Sequence, residues 1–126
     1  MKFYKCTHCG NFVATINESG VPMMCCGEPM KEIKANTQEN VSLEKHLPVV
    51  TVNENLVHVK VGDVTHPMEE KHYIEWVLLV TNLGKQRKQL KPGNAPEVTF
   101  ALLEDEKPLE VYEYCNLHGL WKIDIK

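Results

Sequence analysis

Cys6-Thr7-His8-Cys9 sets two thiols across a tight turn, and the adjacent pair Cys25-Cys26 supplies two more. Four cysteines in this order can surround one ion with sulfur alone, which is chemistry for zinc or iron. Gly10 follows the knuckle, where the chain needs a backbone angle that favours glycine. Successive side chains of an extended chain point to opposite faces. Cys25 and Cys26 can therefore share an ion only if the backbone bends between them, and a distorted tetrahedron is expected. The spacing does not choose between a zinc-stapled structural unit and an iron centre, and a reactive disulfide pair is a third reading. His8, inside the knuckle, is expected to be exposed and not a ligand.

A second constellation lies further along. Cys115 and His118 are three apart in Tyr114-Cys115-Asn116-Leu117-His118-Gly119, close enough to meet one ion from a single loop, and Gly119 lets the chain turn away. Upstream stand His46, in Glu44-Lys45-His46-Leu47-Pro48, and the pair His66 and His72. Pro67 biases His66 toward extended backbone. The six-residue spacing of His66 and His72 does not put them on one face of a straight helix, so a loop must bring them together. Taken singly, each histidine is as well read as a surface residue. His58, on the polar side of Val57-His58-Val59-Lys60-Val61, fits that reading best. Taken together, four histidines and one cysteine exceed the usual four ligands of zinc. They also differ from the two histidines and one cysteine of blue copper. A five-coordinate ferrous iron with one position open suits them.

The elements that must position these residues follow from periodicity. Residues 1–36 carry four of the five cysteines, turn-forming glycines and prolines, and one short alternating run over 11–16. A unit of this length falls below the roughly 40 residues at which a hydrophobic core alone usually suffices. Metal binding worth about 10–16 kcal/mol would hold it folded. Asn36-Thr37-Gln38-Glu39-Asn40 is polar and aperiodic and reads as a linker. Beyond it, strand-forming runs at 57–61, 73–80, 98–103, 111–114 and 120–125 alternate with turn signals at Gly62-Asp63, Asn82-Leu83-Gly84 and Lys91-Pro92-Gly93-Asn94. Such spacing predicts an all-β sandwich or barrel. The expected domains are therefore 1–36 and 37–126.

The totals bound what this can be. Across 126 residues, 25% are charged, 43% are hydrophobic and the net charge is −3. No basic run marks a nucleic-acid surface. No apolar run approaches the roughly 20 residues of a membrane span, and no secretory leader is visible. The cytoplasm is the expected location. Its reducing conditions make metal ligation a better use of five cysteines than a disulfide framework.

These residues resemble the desulfoferrodoxins, the two-iron superoxide reductases, over the whole chain. The CxxC and adjacent-cysteine pairs are similar to that family's desulforedoxin-like domain with its four-cysteine iron. Glu44-Lys45-His46-Leu47-Pro48, the run from His66 to Trp76 and the run from Tyr114 to Trp121 resemble its catalytic motifs. The resemblance implies an immunoglobulin-like β-sandwich and two mononuclear irons. One is held by Cys6, Cys9, Cys25 and Cys26. The other has His46, His66, His72 and His118 equatorial and Cys115 axial. It implies one-electron reduction of superoxide to hydrogen peroxide, with Glu44 as sixth ligand of the oxidised iron and Lys45 attracting the anion. It also implies a homodimer, a rubredoxin-like electron donor and a role in protecting anaerobes.

Overall fold

A computed structural model describes all 126 residues, Met1–Lys126. The chain parts into two units, Met1–Lys34 and Ala35–Lys126.

In the first unit the strands are as short as the turn residues between them dictate. β1 (Phe3–Lys5), β2 (Phe12–Ala14) and β5 (Lys31–Ile33) form a three-stranded antiparallel sheet in the order β2-β1-β5. β3 (Met24–Cys25) and β4 (Glu28–Pro29) make a two-stranded ribbon. Phe3 is buried, with its ring 6.0 Å from that of Phe12. Cys6 is the only other buried hydrophobic residue of this unit. Two side chains do not make a core, so the unit needs the staple that its length already called for.

The second unit owes its shape to alternation. In β7 (Leu56–Val61) the valines at 57, 59 and 61 are fully buried while His58 and Lys60 face outward. β7 lies between β6 (Pro48–Asn53) and β10 (Glu97–Ala101). The facing sheet has the order β12-β11-β8-β9, from β8 (Ile74–Thr81), β9 (Lys85–Gln89), β11 (Pro108–Cys115) and β12 (Gly119–Asp124). All pairings are antiparallel. Seven strands split three and four give the immunoglobulin-like sandwich expected. Ile74, Val77, Leu79, Phe100 and Val111 join the β7 valines in one core.

Two local features depart from the sequence reading. Leu43–His46 forms a single helical turn, α1, where only a loop motif was evident. The polar segment after residue 35 is not a free linker. Asn36 donates its N–H to the Leu120 carbonyl at 3.0 Å. Its side chain accepts from Lys122 N–H at 2.9 Å and donates to the Lys122 carbonyl at 3.0 Å, extending the edge of β12.

Candidate metal centres

The two adjacent cysteines meet the others only because the backbone bends as expected. Cys26 adopts φ 53°, the left-handed region that side-chain-bearing residues seldom enter. With that bend, the four sulfurs of Cys6, Cys9, Cys25 and Cys26 all lie within 4.8 Å of one another. Sulfurs on bonds of about 2.3 Å at tetrahedral angles would stand about 3.8 Å apart, inside that limit. The N–H groups of His8 and Cys9 both reach Cys6 Sγ at 3.4 Å. These donors hold the Cys6 thiol down at about 6. Hydrogen bonding with the sulfurs of Cys6, Cys9 and Cys25 pushes Cys26 up to about 12. The Cys6 thiolate forms readily, the Cys25 and Cys26 thiols resist, and a cation at the centre removes the conflict. His8 turns to Glu28, 2.9 Å away, and is not among the donors.

The second cluster is assembled from four elements of the sandwich unit. α1 supplies His46, and the loop joining β7 to β8 supplies both His66 and His72. The turn joining β11 to β12 supplies His118, beside Cys115 at the end of β11. One donor atom from each lies within 4.8 Å of all the others. The imidazoles trace a near-square. Ring centroids are 4.7 Å apart for His46–His66 and His66–His72, and 4.9 Å for His72–His118 and His118–His46. His46 and His72 face each other across the diagonal at 6.5 Å. Adjacent rings meet nearly edge to face, with interplanar angles between 74° and 86°.

Hydrogen bonds identify which nitrogens point inward. His46 Nδ1–H donates to the Ser42 carbonyl at 2.7 Å, and His66 Nδ1–H donates to the Pro67 carbonyl at 2.6 Å. A carbonyl only accepts, so each Nδ1 carries the proton and each neutral ring keeps its lone pair on Nε2. Burial depresses both rings, His66 to about 4, which keeps them neutral. Those two Nε2 atoms nevertheless stand 3.1 Å apart, and His118 Nδ1 is 3.2 Å from His46 Nε2. Converging lone pairs repel unless a cation lies between them. His72 Nε2 is likewise buried with no hydrogen-bond partner. The donor set therefore fits a metal ion.

Cys115 sits where β11 slips register between Tyr114 and Cys115, and its side chain is fully buried. Its sulfur is 3.9 Å from His118 Nδ1. Burial pushes the thiol up to about 11, while the N–H groups of Leu117 and His118 pull it back. A coordinating cation would deprotonate it outright. Trp121 ties two ligands together. Its ring stacks on His46 with centroids 5.3 Å apart, and its Nε1–H donates to the His118 carbonyl at 3.1 Å.

Glu44 and Lys45 are exposed on α1, directly before His46. The Lys45 charge reaches the cluster, adding to the burial that depresses His46 and His72. His58 stays apart, held by Thr99 Oγ1 at 2.9 Å and Glu97 Oε2 at 3.3 Å. Gly62, Glu113, Asn116 and Trp121 also shape or adjoin the site. They escaped the sequence reading because only strand register and chain reversal bring them there.

Both family profiles that match the chain agree with this division. Residues 37–124 match Desulfoferrodoxin, and residues 1–33 match Desulfoferrodoxin, N-terminal domain. The desulfoferrodoxin of Nitratidesulfovibrio vulgaris is 48% identical over 123 residues, 98% of this chain and 95% of that protein. Among solved structures, the superoxide reductase from Treponema pallidum superposes with a TM-score of 0.82 at 42% identity, covering 97% of each chain. A one-iron superoxide reductase from Giardia intestinalis matches 66% of this chain and 98% of its own, with a TM-score of 0.57 and 34% identity. Fold and donor sets define a two-centre iron protein of the desulforedoxin-plus-sandwich class. The chain belongs to the desulfoferrodoxin family.

Proposed function

We propose that this chain reduces superoxide to hydrogen peroxide at the sandwich-domain centre. The observation that carries the reading is the square of four neutral imidazoles with a buried thiol beside it. Five donors of this kind fall one short of an octahedral set and suit ferrous iron. Iron held there supplies one electron. With that electron and two protons, superoxide leaves as hydrogen peroxide.

The chain's own residues do the rest. His46 and His66 are locked in one tautomer by their carbonyl partners, so their donor nitrogens need no rearrangement. Cys115 would supply a strong anionic donor, and the N–H groups of Leu117 and His118, which partly offset the effect of burial on its thiol, favour that charge. Lys45 gives the approaching anion a local positive charge on a chain of net charge −3. Glu44, its neighbour, would supply the carboxylate that closes the oxidised centre. His72 and His118 are only partly buried, which leaves water within reach to deliver protons.

In this reading residues 1–36 form the four-cysteine iron domain and residues 37–126 the catalytic domain. A rubredoxin-like protein returns the electron, and exposed Leu43, Val64 and Leu117 offer it an apolar surface near the ligands. The chain works as a homodimer in the cytoplasm of an anaerobe. No helix is long and apolar enough to cross a membrane.

Pulse radiolysis of the reduced, iron-loaded protein tests the activity. One peroxide per superoxide, without release of dioxygen, is the expected stoichiometry. Half that yield together with dioxygen would make the protein a dismutase. Zinc in the sandwich site with no oxidation by superoxide would make it a structural module.

A further inference from the structure

Three of the five sandwich-site donors have evident local support. His46 and His66 hold carbonyls through Nδ1, and Cys115 ends a strand. His72 is different. It lies in a short reversal in which Glu69 and His72 exchange backbone hydrogen bonds, at 2.9 and 3.0 Å. Its neighbours Glu69, Glu70 and Lys71 are exposed. Such a loop, left alone, would not hold an imidazole to the few tenths of an ångström that a coordination shell demands.

Asn116 grips this loop on both sides of His72. Its Oδ1 accepts the N–H of Tyr73 at 3.0 Å, its Nδ2 donates to the carbonyl of Lys71 at 3.0 Å, and its own N–H donates to the carbonyl of Tyr73 at 3.2 Å. These bonds span more than forty residues of sequence. Asn116 also lies between the donors Cys115 and His118. One amide thus joins the loop of Cys115 to the loop of His72. An amide is the group this requires, because it must accept on one side of the ligand and donate on the other at the same time. Aspartate only accepts when ionised, and it would face the Lys71 carbonyl with negative charge.

We propose that Asn116 is the positioning residue for His72, and that through it the Cys115–His118 loop and the His72 loop act as one unit around the metal. The proposal rests on the reading of His72 as a ligand. Its test is metal retention in the full-length, iron-loaded protein, by chelator competition and by the paramagnetically shifted proton signals of the ligand imidazoles.

Asn116→Ala should weaken iron retention at the sandwich site by about 10- to 100-fold, the usual effect of losing support behind a ligand. It should also shift or broaden the imidazole signal that His72→Ala removes. The double variant should be little worse than His72→Ala alone, because the two residues act in series. Asn116→Asp keeps the acceptor half and should fall between parent and Asn116→Ala. It decides the matter if the alanine variant does not fold. Parent-like retention in Asn116→Ala, additive losses in the double variant, or an Asn116→Asp variant equal to the parent would each overturn the clamp. If His72→Ala itself retained iron like the parent, the ligand assignment would fail first, and the clamp with it.

Discussion

A side chain on Gly62 would collide with the main chain of Lys45. A Cβ built there lies 2.6 Å from the Lys45 carbonyl oxygen and meets that of Val64 as well. Gly62 also donates its N–H to the Leu47 carbonyl at 3.2 Å, and Val64 donates to that of Glu44 at 3.0 Å. The turn after β7 is therefore the seat of α1, the element that carries Glu44, Lys45 and His46.

Gly62→Ala is expected to be costly on two counts. Its φ of +87° is a left-handed conformation, worth about 1–3 kcal/mol against a residue with a side chain. The carbonyl contacts add to that, because no flexible side chain can yield. Urea denaturation should show the loss, and the site should retain metal less well as His46 is displaced. A midpoint equal to the parent's would mean that α1 moves freely.

Lys45→Ala should slow the second-order reaction with superoxide by about tenfold or more, and the dependence on ionic strength should weaken or reverse. Glu44→Ala should change the oxidised spectrum and leave capture nearly intact. Stopped-flow or pulse-radiolysis kinetics across a salt series separates the two. An Lys45→Ala variant with the parent's rate and salt slope would reduce Lys45 to a solvated loop charge.

Cys115→Ser should abolish the ligand-to-metal charge-transfer band of the oxidised sandwich centre and stop turnover, since a serine oxygen is the poorer donor. His58→Ala, which removes only a surface contact to Thr99 and Glu97, should leave metal content unchanged. Visible absorption with metal quantification reads both.

Cys9→Ser should empty the four-cysteine site and, with Phe3 as the only other buried hydrophobic residue besides Cys6, unfold the first unit. The sandwich has its own core and should keep its iron. Hydrogen exchange resolves the two units. Simultaneous loss of protection in both would show that the sandwich depends on its neighbour.

Glu113 is fully buried on β11 with neither carboxylate oxygen hydrogen-bonded. A buried polar group without a partner costs about 1–3 kcal/mol. Valine has a similar volume and suits a strand. Glu113→Val should therefore raise the urea midpoint of the sandwich, and a lower midpoint would reveal a partner for the carboxyl group.

What was legible in the sequence follows from chemistry that residues carry by themselves. Thiols and imidazoles announce themselves as candidates, and the resemblance to the desulfoferrodoxins is what groups nine of them into two donor sets. β7, β8, β11 and β12 were legible because one face of each is apolar. β9 was not, since Lys85–Gln89 lies at a sheet edge with almost no buried face and shows no alternation. Asn36 read as linker because its partners on β12 lie 86 residues away. Gly62 read only as a turn, and Asn116 only as a spacer between two ligands. Their roles exist in contacts that no local pattern records.

The composition of β9 has a consequence of its own. An edge strand offers a row of unpaired backbone groups that another strand could zip onto. Here that row carries Lys85, Arg87 and Lys88 within five residues. Two chains approaching along this edge would bring six like charges into register within a few ångströms. The strand that is hardest to read as a strand is thereby the one that discourages fibrous self-association.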